Sequence, residues 1–128
     1  MGVIVHNVLI IEDDSTVRSY LKWMIQKRFS FNIAEAENGI IGLEAIKKVK
    51  PDIIFLDISM PVMSGLEFLE KIKQEPDYSN IPVLILTAHN DSETIKKILD
   101  LGVSDYILKP IDSAKTYNRI QQLIDNIK

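Results

Sequence analysis

At 128 residues the chain has room for one compact domain and for no second. Hydrophobic residues make up 46%, enough for a two-sided core, and a net charge of −3 with intermixed signs argues against the basic patch that a nucleic-acid surface requires. Cysteine is absent, no apolar run reaches the length of a membrane span, residues 1–11 lack the plan of a signal peptide, and His6 stands where a myristoylation motif needs Ser or Thr. A cytoplasmic protein that binds neither membrane nor nucleic acid directly is expected.

"HNVLIIEDD" (6–14) holds a short β-branched run that ends in acids and reads as a buried strand. In "STVRSYLKWMIQKRF" Val17, Leu21, Met24, Ile25 and Arg28 share one helical face, and Asp14 or Ser15 can cap the start. "FNIAEAE" (31–37) alternates like a strand, and "NGIIGLEAIKKVK" (38–50) reads as a second helix stopped by Pro51. "DIIFLD" (52–57) is a strand and "GLEFLEKIKQ" (65–74) a helix with Leu66, Leu69 and Ile72 inward. "IPVLILTA" (81–88) is a strand with Pro82 at its start, where a missing N–H matters least. "DSETIKKILDLG" (91–102) is a helix capped by Asp91 and closed by Gly102. "DYILKP" (105–110) is a short strand, and residues 112–128 form a final helix. Such alternation belongs to the α/β class, a doubly wound parallel sheet with helices on both faces.

In such sheets, ligands bind outside the carboxyl ends of the strands, where the strand order reverses. The first strand ends in Glu12, Asp13 and Asp14, the third in Asp57, the fourth in Thr87 and Ala88, and the fifth in Lys109 and Pro110. Carboxylates crowded on one rim repel each other, and each resists ionising beside the others. A hard divalent cation resolves the conflict. Mg²⁺ takes oxygen ligands, keeps several waters and commonly uses one or two carboxylates plus a phosphate oxygen. It also lets a carboxylate meet an anionic phosphoryl group. Lys109 adds positive charge, and the Thr87 hydroxyl and Ala88 N–H can hold the remaining phosphoryl oxygens. Positioning and charge neutralisation are most of what phosphoryl transfer requires. Asp57 is then a nucleophile that becomes an aspartyl phosphate.

Four stretches, "VLIIEDD", "DIIFLDISMPVMSG", "VLILTA" and "DYILKP", stand in order at successive strand ends. Through them the chain resembles a response-regulator receiver domain, the phosphoacceptor module of two-component signalling, from about Asn7 to the last helix. The resemblance implies one receiver domain over residues 1–128, its core at about 7–127. It also implies a flavodoxin-like sheet of five strands in the order 2-1-3-4-5. Asp57 would accept phosphate from a histidine kinase or histidine phosphotransfer protein. Glu12 and Asp13 fall on the family's acidic pair, which binds Mg²⁺ (with Mn²⁺ as a substitute) together with Asp57 and the backbone carbonyl of Ser59. Thr87 and Lys109 fall on the switch hydroxyl and the phosphate-binding lysine, and a cis peptide at Lys109-Pro110 would turn the ammonium inward. Tyr106 falls on the aromatic that moves inward when the threonine engages phosphate. The fourth helix, fifth strand and last helix then form the face read by a downstream effector. The resemblance further implies a signalling module that assists its own phosphorylation and dephosphorylation rather than an enzyme. "SDYILKP" and Arg119 partly resemble receivers that dimerise through this face, although Ile111 stands where many relatives carry an aromatic. A monomer or a phosphorylation-dependent dimer is expected.

Several of these residues also have a plainer reading. Asp57 can be a turn residue, Thr87 a β-branched strand residue, and Tyr106 ordinary core. Asp14 is read as a cap rather than a ligand. His89 is either a rim group that limits the access of water or an ordinary loop histidine. Trp23, with Tyr20 at the margin of the apolar stripe, is either partly buried against a neighbouring helix or part of a contact surface. Two other functions share the fold class. A flavin carrier needs a Ser-, Thr- and Gly-rich first loop, where "EDDSTVR" places acids. An aspartyl-phosphate hydrolase of the haloacid-dehalogenase type needs a second acid two residues after the nucleophile, where this chain has Ser59.

Overall fold

Alternation along the strands decides which helices cover which face. The computed structural model describes residues 6–88 and 92–127, so His89 and the expected cap Asp91 lie outside the described residues. In chain order the elements are β1 (Asn7–Ile11), α1 (Ser15–Arg28), β2 (Asn32–Ala36), α2 (Gly39–Lys48), β3 (Ile53–Asp57), α3 (Gly65–Lys73), β4 (Val83–Thr87), α4 (Ser92–Asp100), β5 (Asp105–Leu108) and α5 (Ser113–Ile127). All neighbouring strands pair in parallel, in the order β2-β1-β3-β4-β5. The fold class and strand order are those expected from the sequence. The order reverses between β1 and β3, and in sheets of this kind ligands bind outside the carboxyl ends of the strands at that point.

One face of the sheet carries Leu9, Ile11, Ile54, Leu56, Val83 and Ile85, which pack with Ile46 of α2, Phe68, Leu69 and Ile72 of α3, and Ile98 of α4. The other carries Val8, Ile10, Ile53, Phe55, Leu84 and Leu86, which pack with Leu21, Met24 and Ile25 of α1 and Ile120, Leu123 and Ile124 of α5. The central strands are buried on both sides, which is why they read as unbroken apolar runs. The inward face of α3 differs from expectation. Phe68 is fully buried, while Leu66 is only half-buried. At 100° per residue Phe68, Leu69 and Ile72 form one stripe, with Leu66 at its edge.

Short polar caps start the helices close to the strand ends. Asp14 accepts from the Thr16 and Val17 amides at 2.9 and 3.3 Å, and Asn38 accepts from the Ile41 amide at 2.9 Å. Ser64 and Glu67 form a capping box at α3. Gly65, the first residue of α3, lies against the end of β3, where a Cβ would collide with the Asp57 carbonyl oxygen. The loop before it holds Val62 at a φ of 69°. That left-handed conformation is unusual for a β-branched residue. Gly102 takes a φ of 78° just past α4. The Lys73 ammonium donates to the Gly102 carbonyl at 3.1 Å and to the Ser79 carbonyl at 3.0 Å, joining the turn after α4 to the loop after α3. Among the described residues no helix is long and apolar enough to cross a membrane.

Candidate functional site

β1, β3 and β5 each extend their α1/α5-facing parity by one residue beyond the core. Val8 and Ile10 lead to Glu12, Ile53 and Phe55 to Asp57, and Ile107 to Lys109. The sheet therefore delivers two carboxylates and an ammonium to one side of its carboxyl rim. Glu12 is fully buried, and its backbone continues the ladder by donating to the Ala36 carbonyl at 3.0 Å. Asp57 is buried and Asp13 exposed. Each of the three acids offers an oxygen within 4.8 Å of the others.

Lys109 Nζ lies 2.8 Å from Glu12 Oε1 and 3.5 Å from Asp57 Oδ1. The Lys109–Pro110 peptide is cis, as the resemblance implied. The Ser59 amide donates to Asp57 Oδ1 at 3.2 Å. The other Glu12 oxygen, Oε2, is buried with no hydrogen-bond partner. An acceptor in that position is costly unless a cation or a donor meets it.

The electrostatics follow from this crowding. Burial, then the neighbouring Glu12 carboxylate, pushes the Asp57 pKa up to about 6. Partial burial and Asp57 also raise the Asp13 carboxyl above its usual range. Burial pulls the Lys109 ammonium down, but its bond to Glu12 and the charges of Asp57 and Glu12 outweigh this and hold its pKa above the ordinary lysine value.

Thr87 and Tyr106 occupy the opposite face. Ile85 pairs in register with Tyr106 and packs toward α3, and Thr87 repeats the parity of Ile85. Thr87 is buried, Tyr106 is half-buried against the same cluster, and Ala88 is exposed at the strand end. Asp14 serves as the α1 cap. Trp23 is 57% exposed; Tyr20 lies 6.1 Å from it, ring to ring, and the Lys27 ammonium 4.5 Å from its ring centre.

One participant has no counterpart in the sequence reading. The Arg18 guanidinium donates to the Glu12 backbone carbonyl at 2.7 Å and to Glu35 at 3.2 Å. The i, i+4 pair Arg18 and Lys22 was the available signal, but nothing local told which acid of the next strand they would meet. A cleft of about 600 Å³ lies at the other end of the sheet beside Asp52, Ser104 and Arg119, away from this chemistry.

Across residues 8–121 the chain matches the response regulator receiver domain family. It is 35% identical to the transcriptional regulatory protein YdfI of Bacillus subtilis over 93% of this chain and 55% of that protein. Chemotaxis protein CheY-3 of Vibrio cholerae is 30% identical over 94% of this chain and 92% of its own length. Hybrid signal transduction histidine kinase D of Dictyostelium discoideum is 34% identical over 94% of this chain, which spans only 8% of that kinase. The chain thus spans about half or less of several curated relatives that it matches. The crystal structure of a signal receiver domain of a histidine kinase from Syntrophus aciditrophicus superposes with a TM-score of 0.88 at 28% identity, covering 96% of this chain and 92% of that one. Strand order, crowded rim and family match agree, and the chain belongs to the response regulator receiver domains of two-component signalling.

Proposed function

We propose that Asp57 is the phosphoacceptor of this domain, taking a phosphoryl group from a phosphohistidine of a histidine kinase or histidine phosphotransfer protein. The supporting observation is the buried Asp57 carboxylate held between the Lys109 ammonium and two further acids at the switch point of the sheet. An Asp57 oxygen bonds to phosphorus as the P–N bond breaks. The imidazole nitrogen leaves with the bonding pair and takes up a proton. Lys109 draws negative charge from the incoming phosphoryl oxygens, and the Thr87 hydroxyl and Ala88 amide receive the others.

The residues present fit a divalent cation. Three acids offer oxygens within 4.8 Å of each other, and Glu12 Oε2 is buried without a partner. Glu12, Asp13 and Asp57, with the Ser59 carbonyl, would hold Mg²⁺, or Mn²⁺ in its place. The ion would neutralise the charge that carboxylates and phosphoryl group share. Asp57 then signals through Thr87 and Tyr106, which back onto α3 and α4, to the α4-β5-α5 face. Leu99 and Leu108 lie exposed on that face. We assign the downstream effector, or a second copy of the chain in the phosphorylated state, to this surface. The reading places residues 1–128 in one cytoplasmic receiver domain that also assists its own dephosphorylation.

Acetyl phosphate with Mg²⁺ tests the assignment. One phosphoryl mass should appear, be lost to hydroxylamine, and be absent in Asp57→Asn. Equal labelling of the Asp57→Asn protein would overturn the reading.

A further inference from the structure

Arg18 stands outside the groups that touch the proposed metal or phosphoryl group, yet it is bonded to the turn that carries them. Its Nη1 donates to the Glu12 carbonyl at 2.7 Å, and its Nε to Glu35 Oε1 at 3.2 Å. Lys22, one helical turn on, holds the second Glu35 oxygen at 3.3 Å. Glu35 lies in β2 and both cations lie in α1, so the guanidinium is fixed from two elements at once. On its other side, Glu12 donates its amide to Ala36 of the same strand. The peptide that joins Glu12 to Asp13 is therefore held at both ends of its first residue.

We propose that Arg18 is a positioning residue for the acidic turn: by clamping the Glu12 carbonyl, with Glu35 holding its fork, it fixes the Glu12 and Asp13 carboxylates in the arrangement that accepts a divalent cation. This rests on the metal-assisted reading above. Arginine suits the task because its planar fork serves two acceptors in fixed geometry.

Position and charge make opposite demands, which gives the test its sign. Arg18 is a cation beside a cation site. If it acted through charge alone, Arg18→Met would tighten Mg²⁺ binding. A clamp requires the reverse. Groups that hold metal ligands in place typically cost tenfold or more in affinity when removed.

The experiment titrates the full chain with Mg²⁺ alone and follows the amide NMR signals of Glu12, Asp13 and Ser59. Arg18→Met is expected to raise the Kd by about tenfold. Lys22→Met makes the same charge change on the same helix and also frees one Glu35 oxygen, but removes no bond to Glu12. It should leave the Kd within about twofold of wild type. In the double variant Arg18→Met with Glu35→Gln, the Glu35 change should add nothing. Equal Kd values for Arg18→Met and Lys22→Met, or tighter binding in Arg18→Met, overturn the proposal. If circular dichroism shows Arg18→Met unfolded, Glu35→Gln compared with Glu37→Gln decides, and equal effects of those two overturn it. A wild-type chain that binds no Mg²⁺ defeats the metal reading itself, whereas wild-type binding with an unaffected Arg18→Met defeats only the clamp.

Discussion

Burial and charge pull against each other at Asp57. Its folded-state pKa of about 6, against 3.8 for a free aspartate, disfavours the charged form by roughly 3 kcal/mol. Between those two values the folded chain keeps a proton that the unfolded chain has released. Stability must therefore fall as pH rises through that window, and level off above it. Asp57→Asn removes this cost but leaves Lys109 with one carboxylate fewer. A net gain of about 1–2 kcal/mol for the metal-free protein at neutral pH is expected. Urea midpoints from pH 4 to 7 in chelator would show the gap between variant and wild type opening as pH rises. A constant gap would mean that the Asp57 titration is not its source. Mg²⁺ should stabilise the wild type by mass action and do much less for Asp57→Asn.

The β3–α3 connection carries its constraints in two residues of different kinds. Gly65 is needed for close approach, because a side chain there would press on the Asp57 carbonyl. Gly65→Ala is expected to cost about 1–3 kcal/mol, as overpacking does, and to slow phosphorylation by displacing the end of β3. Val62 is strained but 76% exposed, so its side chain contributes little packing. Val62→Asn, which tolerates a positive φ and does not loosen the unfolded chain as glycine would, should stabilise by about 1 kcal/mol. Denaturant midpoints check both, and a destabilised Val62→Asn would show that the valine makes contacts worth more than its strain.

At the scale of the whole molecule, phosphorylation at Asp57 as proposed would place new charge between Thr87 and Lys109 and so bias the packing behind Thr87. The resulting shift is limited by the difference in phosphate contacts between the two states. With beryllofluoride as the phosphoryl mimic, amide signals around Tyr106 and of residues 92–100 should move in the wild type and much less in Thr87→Ala. Equal responses in both proteins would break the proposed coupling. The fold was legible because its central strands are apolar runs closed by chemistry-bearing residues, and because caps such as Asp14 announce themselves one residue before a helix. Glu12, Asp57 and Lys109 could be gathered on one rim from topology alone. Arg18 could not, since its bond to Glu12 depends on how far α1 leans toward β2, and no local pattern encodes that angle. Phe68 was missed for a smaller reason: the stripe on α3 was drawn one residue off its centre.

The two bonds of the Lys73 ammonium bear on how α4 can move. They secure the turn at Gly102, directly beyond the carboxyl end of that helix, to the loop after α3. Nine residues of helix extend away from this point, about 13 Å at 1.5 Å per residue. A rod held at one end behaves as a lever. Tilting it by about 10° carries the far end through roughly 2 Å while the end at Asp100 hardly moves. In such a tilt Lys73 would be the fulcrum, and the travel of α4 would be greatest at Ser92, at the end of the sheet where the phosphoryl group is expected.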